Sequence, residues 1–140
     1  MIRKITCLVM IGLILWSVTA VAGNSEKEAA AVTAAEAWLS LVDLGKYAES
    51  WDETAQFFKG QVSKDQWVKA LQSVRGPLGK NISRKLKAKG YATSLPGAPE
   101  GEYVVIQFNT SFENRKHAVE TITPMLDKDG KWRVCGYFVK

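Results

Sequence analysis

"EYVVIQFNTSF", Glu102 to Phe112, is the stretch that decides the fold. Val104, Ile106, Phe108 and Phe112 fall on one side of an extended chain, and β-branched and aromatic residues dominate. A strand with one apolar face needs strand neighbours, and the sequence supplies them on both sides. Downstream, "HAVETITPML" (117–126) reads as the next strand and "KWRVCGYFV" (131–139) as the last. Upstream, "ISRKLKAKGYATS" (82–94) reads as the first. The connections are short, so the four strands form an antiparallel meander.

The turn "DKDGKW" sets how the last two strands meet. A three-residue Lys128-Asp129-Gly130 loop with Gly130 left-handed pairs Leu126 with Trp132. Ile122 and Glu120 then join Trp132, Val134 and Phe138 on the apolar face, while Thr121 and Thr123 point outward. A one-residue slip reverses every side chain. The loop "LPGAPEG" (95–101) joins strands one and two. Pro96 and Pro99 hold the residues before them extended, and Gly97 and Gly101 permit positive φ. It reads as a stiff, wide turn, compatible with a rim at a pocket mouth.

Before the strands the apolar period is 3.6. "NSEKEAAAVTAAEAWLSLVDLGKY" begins with Ser25 and Glu28 at capping-box spacing. Ala30, Ala34, Trp38, Leu41 and Val42 form its stripe, and Gly45 ends it. "KYAESWDETAQFF" is a second, short helix with Tyr47, Trp51 and Ala55 on one side. Ser63 and Gln66 cap a third, whose stripe is Trp67, Ala70, Leu71, Val74 and Leu78. Helices first and strands after define an α+β fold, with N-terminal helices on one face of a four-stranded antiparallel sheet.

The first 22 residues have a separate logic. Arg3 and Lys4 precede an apolar run, Ile5 to Trp16, and Ala20-Val21-Ala22 forms a small-x-small site before Gly23. This is the layout of a signal peptide. The expected organisation is therefore a leader at 1–22 and a single domain at 23–140, periplasmic or secreted. Cleavage leaves seventeen Lys and Arg against fourteen Asp and Glu, a net charge of +3. That balance gives no footing for nucleic acid, and no stable membrane span remains. Of Cys7 and Cys135 only the latter survives, so no internal disulfide forms.

Few residues offer chemistry. His117, the sole histidine, stands in a charged turn with nothing at ligand spacing, so no metal and no cofactor are expected. Cys135 lacks a base and reads as structural. Glu120 is the one weak catalytic candidate. If it faces inward it needs a cation or a proton, and Arg75, Arg84 or a tyrosine hydroxyl are the candidate partners. The lysines of strand one, with Lys80, suit a sheet edge that resists pairing. An anionic partner is the sharper reading of the same residues. Trp51, Arg75, Arg84, Tyr103, Phe108, Glu120, Trp132 and Phe138 are the candidate pocket residues.

"LVDLGKYAESWDETA", "VRGPLGKNISRKL", "LPGAPEGEYVVIQFNTSF", "ETIT" and "DGKWRVCGYF" together resemble the DUF4019 family, exported bacterial proteins without assigned function. The resemblance runs from about Ala34 to Phe138. It implies a cystatin-like or NTF2-like fold, with helices in the concave side of a curved sheet. That fold class hosts isomerases, small-ligand binders and docking subunits, so it selects no activity. The expected function is a non-catalytic binding or interaction module of the bacterial envelope. Its partner is a small amphipathic ligand or an envelope protein, and a homodimer through the sheet is a further arrangement the reading admits. The alternative is a small isomerase-like enzyme with Glu120 as acid or base.

Overall fold

A computed structural model describes residues 11–140, with side chains from Asn24 onward. The leader expected at 1–22 falls outside the residues with described side chains. Among the described residues no helix is long and apolar enough to cross a membrane. The elements run α1 (Ile11–Asp43), α2 (Tyr47–Asp52), α3 (Gln56–Gln61), α4 (Lys64–Arg75), β1 (Asn81–Ala92), β2 (Tyr103–Phe112), β3 (Arg115–Leu126) and β4 (Trp132–Val139). The strands lie in the order β1-β2-β3-β4, each pair antiparallel, so the meander is as expected, with β1 an edge.

The helices differ in detail from the sequence reading. The α1 backbone passes through Ser25 without a start there. A capping residue opens a helix only where the preceding chain leaves helical geometry. The buried stripe of α1 is Ala31, Ala35, Trp38, Leu39 and Val42, rotated by about one residue from the expected Ala30 and Ala34. The expected second helix divides in two because Thr54 forms a parallel bridge with Val134 and the Ala55 amide donates to the Val134 carbonyl at 2.9 Å. The edge of β4 thus draws residues 53–55 out of helical geometry. At α4 the reciprocal Ser63–Gln66 capping box forms as read. Its buried face is Trp67, Leu71 and Arg75, while Val74 is exposed.

The core lies between α1, α4 and the inner sheet face. Trp38, Leu39, Leu71, Val104, Ile106, Phe108, Ile122 and Val134 fill it. Trp38 packs edge-on to Tyr137 and tilted against Trp67, and Phe58 meets Trp67 edge-on. The two buried tryptophans converge on Ser50. Trp38 Nε1 donates to its carbonyl at 2.8 Å and Trp67 Nε1 to its hydroxyl at 3.0 Å.

A smaller cluster occupies one end of the outer face. Tyr103 and Met125, paired across β2 and β3, bury against Ala55, with Phe57, Leu95, Ala98 and Cys135 around them. The Pro-Gly loop belongs to this cluster: Tyr103 Oη donates to the Pro99 carbonyl. Gly97 is left-handed as expected, at φ +77, whereas Gly101 is not. The loop is therefore a lid on Tyr103.

The β3–β4 turn decides the inner face. Leu126 pairs with Trp132 and Gly130 has φ +81, as the three-residue loop requires. Past the turn the register shifts. Thr123 pairs with Gly136 but Pro124 with Val134, so Cys135 is an extra residue. A bulge reverses the facing of the residues beyond it. Tyr137, not Phe138, therefore joins Ile122 and Glu120 inside, and Phe138 stands outside, 55% exposed.

Candidate functional site

Glu120 is fully buried in β3. Its Oε1 accepts from Arg84 Nε at 2.6 Å and from Thr110 Oγ1 at 2.5 Å. Its Oε2 accepts from Arg84 Nη2 at 3.2 Å and from the Tyr137 hydroxyl. Cross-strand geometry makes this possible. Thr110 lies opposite Arg84 on β1, and Phe108 opposite Glu120 on β3, so three strands deliver their polar side chains to one spot.

The network continues to a residue absent from the sequence reading. Asp43, the last residue of α1, takes Arg84 Nη1 at 2.8 Å, Arg84 Nη2 at 3.0 Å and Arg75 Nη2 at 2.8 Å. A carboxylate at a helix C-terminus faces the negative end of the dipole, and the two guanidiniums offset that. Two acids and two cations leave the cluster neutral, the condition for burying charge without a severe penalty. Burial alone would raise the Asp43 carboxyl, yet hydrogen bonds from Arg84 and Arg75 outweigh it and hold the group below its usual value. Burial, followed by the charge of Glu120, pushes the Tyr137 hydroxyl far up, so it remains a donor.

Arg75 is 4% exposed, and its planar group lies 4.8 Å from the Phe112 ring centre. Its Nη1 reaches Tyr137 Oη at 3.5 Å, while Nε has no hydrogen-bond partner. The sequence did contain the signal: Arg75 continues the 67, 71, 75 spacing of the α4 stripe.

The remaining candidates do not converge. Phe108 is core, beside Glu120 on the inner face. Tyr103 lies on the opposite face under the loop. Phe138 is outside, because of the bulge. Trp51 is half-buried, bonded through Nε1 to the Val62 carbonyl at 2.8 Å and flanked by Lys59 and Lys64. Trp132 borders a groove of about 540 Å³ between α1, α2 and the start of β4, where Ala34, Trp38 and Leu41 face Glu49, Glu53 and Lys131. His117 is exposed in β3.

Fold and site together define a small α+β protein whose helices cover one face of an antiparallel meander and whose buried polar centre is an Asp-Arg-Arg-Glu-Tyr network. The model of the family described as "Protein of unknown function (DUF4019)" matches residues 34–137, and the chain belongs to that family. No curated protein matches it.

Proposed function

We propose that this protein is an exported, non-catalytic binding module of the bacterial envelope that works through its surface. The cystatin-like or NTF2-like scaffold that the family resemblance implies is compatible with such a role. One observation carries the reading: Glu120, the acid named as catalytic candidate, is wholly buried and its two oxygens hold four hydrogen bonds. A general acid or base needs reach to a substrate proton. Here Arg84, Thr110 and Tyr137 occupy that reach, and Trp38, Trp67, Phe58 and Tyr137 fill the space a ligand would take.

A second reading rests on the groove beside Trp132, whose volume suits a small amphipathic molecule. Native mass spectrometry of protein isolated from its own envelope fraction separates the readings. The surface reading expects no retained small molecule. A bound molecule lost on Trp132→Ala moves function to the groove. A reaction abolished by Glu120→Gln in a folded protein overturns both.

A further inference from the structure

We propose that the open part of the outer sheet face binds an acidic polysaccharide. This rests on the surface-binding reading above and names its partner. Strand pairing places two cross-strand rows on that face. One row is Lys85, Asn109, Val119 and Lys140, and the next is Ala88, Gln107, Thr121 and Phe138. The helices cover the opposite face, and the Tyr103 cluster closes only one end of this one.

Three features of these rows specify the partner. The first is charge. Among the described residues neither row contains Asp or Glu, and Lys85 and Lys140 have no carboxylate within salt-bridge distance. Exposed Lys87, the extra residue between Leu86 and Ala88, borders the face along the β1 edge. Two copies meeting face to face would set lysines against lysines, which disfavours a second copy as the occupant. Lys85 and Lys140 stand on the two outer strands, three strand spacings or roughly 14 Å apart. A single small anion cannot reach both, whereas a polyanion can.

The second is hydrogen-bonding capacity. Among the described residues no intramolecular bond uses the side chains of exposed Asn109 or half-buried Gln107, while Thr121 is buried. The two amides each donate and accept, which suits the hydroxyls of a sugar chain. The third is Phe138, whose ring is 55% exposed beside Thr121 and offers an apolar platform for a sugar ring face. It is the one large exposed apolar side chain of the two rows. A bilayer would call for a broader apolar surface to insert.

Affinity electrophoresis in gels containing polygalacturonate tests this, with neutral dextran as the control polymer. Retardation by polygalacturonate alone, weakening as salt rises, is expected. Lys85→Glu and Phe138→Ala should each weaken it about tenfold. Lys69→Glu, the same charge change on the helix side, should leave it unaltered. Circular dichroism confirms that each variant is folded. Absence of retardation, equal retardation by dextran, or equal sensitivity to Lys69→Glu would overturn the proposal. So would binding only to phosphatidylglycerol-containing vesicles, which assigns the face to membrane. These outcomes leave the surface-binding reading to its own test, since they do not touch retention of a small molecule or Glu120-dependent turnover.

Discussion

Arg84 Nε lies 2.6 Å from Glu120 Oε1, an ion pair joining the edge strand β1 to β3 across β2, with the glutamate completely buried. Glu120→Ala leaves Arg84 and the Tyr137 hydroxyl facing an apolar gap. The cost of breaking a buried pair is about 3–5 kcal/mol, read as a shift in the urea midpoint. Glu120→Gln keeps the shape and two polar atoms, so its loss should be smaller. Equal stability of Glu120→Ala and wild type would show that the pair contributes nothing.

Asp43 predicts how stability varies with pH. Its carboxyl is held below the unfolded value by Arg84 and Arg75 despite burial. A depressed folded pKa means the unfolded chain binds the proton more readily. The contribution is therefore present above the unfolded pKa of about 3.9 and disappears as pH falls through the folded value. Wild type should exceed Asp43→Asn in stability at pH 7, and the gap should narrow progressively as pH falls below the unfolded value of about 3.9. A constant gap across that range would contradict the assignment.

Ser50 holds two indoles. Ser50→Ala keeps the carbonyl that serves Trp38 but removes the oxygen that serves Trp67 Nε1. An unpaired buried donor costs about 1–3 kcal/mol. Thermal unfolding measures it, and Ser50→Thr, which retains a hydroxyl, separates the lost bond from changed packing.

Burial first, then the charge of Asp127, pushes the Cys135 thiol up to about 11. Little thiolate exists at pH 8, so iodoacetamide should label the native protein far more slowly than the urea-unfolded one. Cys135→Ser places a hydroxyl near Tyr103 and Met125 at a cost of about 1–2 kcal/mol. Rapid native labelling would contradict the burial.

What was legible in the sequence were features that repeat or that glycine dictates. Alternation in 102–112 specified the strand, Ser63 and Gln66 the start of α4, and Gly130 the turn that turns Glu120 inward. The misses have a common cause: a tertiary contact outweighed a local signal. Val74 was read into the α4 stripe, but Arg75 takes the buried position beside it, because Asp43 and Phe112 receive its guanidinium. Asp43 ends a helix, where an acid is locally unfavourable, and only the two arginines explain it. Thr54 left its helix for the β4 edge. The extra residue at Cys135 changes no alternation that a single strand can display, since a bulge is defined by its partner. It moved Phe138 out of the candidate pocket and brought Tyr137 in.

That bulge gives the last prediction. With unbroken alternation after Trp132, Phe138 would be core and Tyr137 a surface residue. Phe138→Ser would then cost several kcal/mol, in the range of about 3–5 for emptying a buried aromatic site, and Tyr137→Phe almost nothing. The bulged register reverses the order. Phe138 is 55% exposed, so Phe138→Ser should stay within about 0.5 kcal/mol of wild type. Tyr137→Phe deletes the donor to Glu120 Oε2 and the contact with Arg75 Nη1 while keeping the ring against Trp38. A buried carboxylate oxygen deprived of a donor costs about 1–3 kcal/mol. Urea unfolding of the two variants side by side decides between the registers, and a larger loss for Phe138→Ser than for Tyr137→Phe would place the extra residue elsewhere in β4.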